Sequence, residues 1–250
     1  MKTNSEIKNE ALAALRGKWG YFLLLSVAYW TIIALIETSG IWCSAMQQNN
    51  FEGQFLRYGP KLWISIAIIP VLRWGYEIIC LRNQRGEQTR AGNLFDGFKQ
   101  YGRIWTTQIL VLLYTSLWSL LFLIPGIIKS LSYALTPYIL LDEPELSRNA
   151  AIERSMQMMD GHKKRLFLLF LSFIGWIILA FAVCSLIIYT LYSIYHLFIF
   201  TNELLTFYYY CLIVYYCAIG LCFLWLVPYI GASLAVFYED VKADWAHRAA

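Results

Sequence analysis

Charge is scarce in this chain. Asp, Glu, Lys and Arg make up 14% of 250 residues, against about 25% in an ordinary soluble domain. Histidine is scarcer still, with His162, His196 and His247 scattered and none at metal-ligand spacing. There is no HExxH pair, no phosphate-binding P-loop and no dinucleotide glycine pattern. The run GASLA at 231–235 has the outline of a nucleophile elbow but lies in an apolar stretch rather than at a strand-to-helix turn. These absences leave no residue set for metal hydrolysis, nucleotide chemistry or acyl transfer, so the expectation is a protein that is not an enzyme and needs no cofactor. Paired cysteines are missing too. Six are present, without a CxxC, and most lie within apolar runs, where they read as small core or lipid-facing residues. Basic residues gather at the ends of apolar runs rather than along one face, and with a net charge of only +4 nucleic acid is excluded as a partner.

What the sequence has instead is apolar length. Hydrophobic residues form 59% of the chain and mean hydropathy is +0.53. Uninterrupted apolar runs point to helices rather than to a barrel, whose strands would alternate in polarity every residue. The fold class expected is all-α: a polytopic helical membrane protein with about six transmembrane helices, or eight on an alternative count, plus two amphipathic helices. Residues 19–36 carry no charge, enough to cross about 30 Å of hydrocarbon at about 1.5 Å per residue. A polar loop follows at 37–60, then a second run at 62–81, a third at 104–124 and a short fourth at 127–141 kinked by Pro137. The last apolar stretch holds a single acid, Glu203, between uncharged runs at 166–202 and 204–238. Each run is either one long projecting helix or two spans; the polar, Tyr-rich middle favours projection.

The whole of 1–250 reads as one helical membrane domain. Within it, 1–18 is an amphipathic helix with the stripe Ile7, Ala11, Leu15 and Trp19 and Ser5 as its cap, expected on the membrane surface. Residues 142–164 form a second surface helix, capped by Asp142 or Ser147, with Ile152, Met156 and Met159 on one face and Gly161 as its stop. Lys8, Arg16, Lys18, then Arg82, Arg85, Arg90, Lys99 and Arg103, then Arg148, Arg154 and Lys163 to Arg165 fall on one side, against Arg57 and Lys61 on the other. The positive-inside rule then puts both termini in the cytoplasm.

The motifs DGFK at 96–99 and DGHK at 160–163 each precede a span, and LFLIPGI and LWLVPYI follow in the same order, a candidate internal repeat. It would pair Pro125 and Gly126 with Pro228 and Tyr229, as interrupted helices are paired in transporters with repeated halves. Two further features are candidate ligand or lipid contacts. Arg73 and Glu77 lie four residues apart inside the second span, where an ionisable group costs roughly 2.5 to 3.5 kcal/mol unless paired or wetted. They are either a self-neutralised pair facing the bundle or a polar contact in a pathway. Lys129 either reaches to headgroups or anchors an anion. His162, Lys163, Lys164 and Arg165 are candidate contacts for anionic lipid, at about 1 kcal/mol per charge.

The stretches LWSLLFLIPGIIKSLSYALTPYIL, AAIERSMQMMDGHKKRLFLLFLSFIGW and LWLVPYIGASLAVFY, with LFDGFKQYGR, resemble the bacterial integral membrane family called domain of unknown function 975. The resemblance implies a helical protein of the bacterial cytoplasmic (inner) membrane with no established activity. Residues 184–222 are longer than that family's usual link and stand out as an insertion. The functional expectation is binding, or helping to move, a lipid or amphiphilic solute. The alternative is a scaffold working through its cytoplasmic helix and Tyr-rich outer region, with a homo-oligomer or another membrane protein as partner beside the membrane lipids.

Overall fold

The computed structural model describes the backbone of residues 1–44, 51–198 and 204–249, and side chains within these outside 37–61, 180, 191–192, 194–219, 221–222 and 249. Arg57, Lys61 and most of the Tyr-rich insertion therefore have no described side chains. The described residues contain no strand. Their helices are α1 (Asn4–Leu15), α2 (Trp19–Ser44), α3 (Phe51–Gln84), a 3-10 segment (Ala91–Gln100), α4 (Tyr101–Leu121), α5 (Leu123–Ser132), α6 (Thr136–Asp142), α7 (Arg148–Met158), α8 (Lys163–Phe198) and α9 (Leu204–Ala249). Among the described residues, six helical stretches are long and apolar enough to cross a membrane, with α5 and α6 together forming the fourth. The chain is thus an all-α polytopic membrane protein. The overlong runs lie in single helices of 36 and 46 residues, and among the described residues the candidate spans number six rather than eight.

Two boundaries differ from expectation. The polar stretch at 37–60 is not one loop, because α2 continues to Ser44 and α3 begins at Phe51. Polarity there says which side chains tolerate water, and does not by itself end a helix. The break between α4 and α5 falls at Phe122, which is extended at φ −158° and ψ 147°. Pro125 sits in the first turn of α5, where a missing N–H leaves no helical bond unmade. Gly126 lets the two helices touch, since a Cβ there would lie 2.8 Å from Ser119 Cα.

The six spans form three hairpins, α2–α3, α4 with α5–α6, and α8–α9, and the first helix of each is the outer one. Only 11 to 18% of positions in the α2, α4 and α8 spans are buried, against 50 to 56% in the second spans. The packing is cyclic: α1 lies on α9, the 3-10 segment on α3, and α7 on α6, so the short element before each hairpin packs on the inner helix of the preceding one. Likewise α2 packs on α9, α4 on α3 and α8 on α5.

The entry to each hairpin repeats in register. Thr3 and Ser147 are the N-caps of α1 and α7, accepting from the N–H groups of Glu6 and Ala150. Gly17 and Gly161 then end those short elements with φ of 78° and 79°, the left-handed region that glycine enters without strain. Lys18 N–H donates to Leu15 O and His162 N–H to Met159 O, at 2.9 and 3.1 Å. One constant separation relates all these pairs. It also relates the buried Ile7, Ala11, Leu15, Phe22 and Leu25 to the buried Ala151, Ser155, Met159, Leu166 and Leu169. In the middle hairpin, Arg90 N–H donates to Asn93 Oδ1 as Thr3 N–H does to Glu6. Ile104 and Thr107 of α4 are buried at the same distance from the helix start as Phe22 and Leu25 of α2.

The repeat is therefore threefold, and the DGFK and DGHK echo marks two of its three units. The glycines of that echo differ locally. Gly161 is a left-handed turn with nothing near it, whereas Gly97 is wedged so that a Cβ would meet Val71 Cγ1 at 2.7 Å. Pro125 and Pro228 do lie in corresponding inner helices, but α9 runs on through Pro228 without a break.

The stripes of the two amphipathic helices face protein rather than lipid. Ile7, Ala11 and Leu15 are fully buried, as are Ile152 and Met159 within a few per cent. The α1 cap is Thr3 in place of Ser5, and the α7 cap is Ser147, which frees Asp142 for another task. Ser155 of α7 bridges the gap between α5 and α6, donating to Ser132 O at 2.8 Å and accepting from Leu135 N–H at 3.3 Å. Pro137, which lacks an N–H, dictates that gap.

Candidate functional site

The inner helices α3, α6 and α9 meet in two polar layers. The first sits at the end of the bundle that carries both termini. Arg85, just past α3, donates from Nη1 and Nη2 to the two carboxylate oxygens of Asp142 on α6, at 2.8 and 2.7 Å. Its Nε donates to Glu239 of α9 at 2.7 Å. Tyr238 Oη donates to Asp142 Oδ2 at 2.8 Å, and Lys242 Nζ also donates to that oxygen. Its hydrogen bonds to Asp142, and then to Glu239, hold the Arg85 guanidinium protonated well above its ordinary range. The Tyr238 ring stacks on Tyr138 of α6 at a centroid distance of 5.0 Å. All three hairpins thus join in one plug, an ion cluster backed by two aromatic rings.

The second layer lies deeper. Arg73 is at the midpoint of the Leu62–Gln84 span, and its Nε donates to Glu77 Oε1 at 3.0 Å. The two side chains differ: Arg73 is 69% exposed and Glu77 13%. Tyr29 of α2 and Tyr138 are within electrostatic reach of Arg73, so the exposed guanidinium lies on the side of α3 near α2 and α6. Glu77 Oε2, Thr136 Oγ1 and Tyr138 Oη are buried with no hydrogen-bond partner among the described residues. Below Arg73 and Glu77, Gly231 of α9 abuts Cys80, a buried free thiol.

The other candidates are dispersed. Lys129 lies with its Nζ 4.9 Å from the Trp118 ring centroid of α4, a cation–π contact worth about 0.5 to 2 kcal/mol. Pro228 and Tyr229 are on α9, with the Tyr229 ring edge-on to Phe173 of α8 at 5.1 Å. The basic run is split: Arg165 pairs with Asp240, and the buried His162 lies 3.5 Å from Asp244 and 2.9 Å from Arg248. Burial first, and then Arg248, lowers the His162 pKa. Lys163 and Lys164 have no ion pair among the described residues. Sequence reasoning missed Tyr138, Asp142 and Tyr238 as a cluster.

Among the described residues no three His, Cys, Asp or Glu side chains are grouped as a metal ion requires. The chemistry on hand is charge and hydrogen bonding within an apolar wall. A cleft of about 590 Å³ between α2 and α9, lined by Val27, Trp30 and Phe223, offers apolar surface at the membrane face.

The sequence model described as Protein of unknown function (DUF975) matches residues 1–135 and 120–244. The chain belongs to this family. The match reaches the N-terminal helix and runs through 184–222, wider than the motifs alone, so the plug and the Arg73 layer both lie in DUF975 sequence. No curated protein and no solved structure matches the chain.

Proposed function

We propose that this DUF975 protein binds an amphiphile with a negatively charged head at Arg73 and helps move it within the bacterial inner membrane, without covalent chemistry. The observation that carries the reading is a guanidinium at mid-span that is largely accessible and has a single carboxylate partner among the described residues. In hydrocarbon such a group is costly, and a gap holding water or a charged head relieves that cost. The apolar cleft between α2 and α9 suits acyl chains. The plug end, where the basic segments gather, is cytoplasmic on this reading, so the Arg73 gap is closed toward the cytoplasm by Tyr138, Tyr238 and the Asp142 cluster. A scaffolding role through α7 has weaker support, because Ile152 and Met159 face the core.

Native mass spectrometry of the purified protein tests this. The wild type is expected to retain an anionic amphiphile that Arg73→Gln loses, while Lys164→Gln keeps it. Equal retention by wild type and Arg73→Gln would remove the proposal.

A further inference from the structure

The charge balance around Arg73 points to a coupled ion, an inference that rests on the reading of the Arg73 gap as an amphiphile site. Arg73 uses Nε on Glu77, and its Nη1 and Nη2 have no partner among the described residues. A guanidinium offering two parallel N–H groups fits a carboxylate or phosphate oxyanion. Glu77 Oε2 is buried and has no partner either. The titratable groups near Glu77 are Arg73 and Cys80 on α3, Tyr29 on α2 and Tyr138 on α6. From α9 the side facing Cys80 is Gly231, which brings no charge. Arg73 and Glu77 therefore form a neutral pair, and among the described residues no second cation stands by to balance an incoming anion.

An oxyanion arriving at Arg73 gives the site a net charge of −1 in surroundings where an uncompensated charge is expensive. One proton restores neutrality. We infer that binding of an oxyanion-headed amphiphile at Arg73 is coupled to uptake of one proton by Glu77. The proton is drawn from the bulk solution and forms an O–H bond on the Glu77 carboxylate, with no hydroxide left in the site. The ligand's negative charge takes over the pairing with Arg73, so no other charge moves. Ligand and proton bind and leave together, and a proton gradient across the membrane then drives the ligand in one direction.

The test uses two probes of the shared chemistry, lysophosphatidylglycerol for a phosphate head and laurate for a carboxylate, with the full-length protein in a non-ionic detergent. Lysophosphatidylglycerol keeps its charge between pH 6 and 8.5, so it carries the pH measurement; laurate shows whether the site takes a carboxylate as well. Wild-type affinity for lysophosphatidylglycerol is expected to fall as pH rises, approaching tenfold per pH unit. Glu77→Gln, which mimics the protonated acid, is expected to bind without that slope, and Arg73→Gln to bind neither probe. Calorimetry of the wild type in two buffers of different ionisation enthalpy should count about one proton taken up, a measurement that needs no variant to fold. A flat wild-type affinity, a slope that persists in Glu77→Gln, or zero protons overturns the coupling while leaving the Arg73 site standing. Equal binding of both probes by wild type and Arg73→Gln overturns the site itself.

Discussion

Asp142→Asn is expected to destabilise the folded protein by about 3 kcal/mol, the upper figure for losing hydrogen bonds to a charged group, in a cluster whose cations are partly exposed. The carboxylate is 10% exposed and receives Arg85, Lys242 and Tyr238. The amide left in its place accepts on one atom only, and Arg85 and Lys242 then face each other with less compensating charge. Because Asp142 joins α6 to the ends of α3 and α9, the loss is also expected to part the three inner helices at the plug. Cys80 reports on that opening, since its thiol is buried against Gly231. With the other five cysteines replaced, a membrane-impermeant thiol reagent is expected to label Cys80 slowly in the otherwise unaltered chain and at least tenfold faster in Asp142→Asn. Unchanged labelling together with unchanged thermal unfolding would show that the cluster holds nothing shut.

Gly75→Ala is expected to be comparably damaging, at about 3 kcal/mol, the upper end for overpacking. A Cβ at Gly75 would lie 2.1 Å from Leu94 O and 2.8 Å from Leu94 C. Both are backbone atoms of the 3-10 segment, which cannot swing away as a side chain can. That segment is also tied to α3 by Arg82, which donates to Asp96 at 2.6 Å, so it cannot retreat without breaking an ion pair. Gly175→Ala on α8, where nothing lies within 4 Å of the added carbon, is the matched control and is expected to be neutral or slightly stabilising. Thermal unfolding in detergent checks both, and equal midpoints for the two variants would contradict the close packing of α3 on the 3-10 segment.

The spans were legible because hydropathy over a window of about 20 residues reports membrane crossing directly. Hydropathy does not say what an apolar face touches. The stripe of α1 reads as membrane-facing, yet Ile7, Ala11 and Leu15 are fully buried in protein. The repeat was half visible. Pro125 and Pro228 stand in obvious apolar motifs, but the middle unit replaces the α-helix of the other two with a 3-10 segment. Gly17 and Gly161 share a conformation that their flanking residues do not advertise.

The site divides in the same way. Arg73 and Glu77 were legible because ionisable residues in a span are rare and expensive. Asp142 looked like a helix cap, since Asp before a helix usually is one. Its role depends on Arg85, Tyr238 and Lys242 from other hairpins, and contacts between distant segments leave no local pattern in a single sequence.

The central claim is that the accessible side of Arg73 is where an amphiphile's head rests. A photo-crosslinkable anionic lipid, reacted in bilayers and followed by peptide mass spectrometry, tests it most directly. Adducts are expected on α3 around residues 69–77 and on the facing part of α2, and to vanish in Arg73→Gln. Adducts spread evenly over the exposed faces of α4 and α8, and unchanged in that variant, would contradict it.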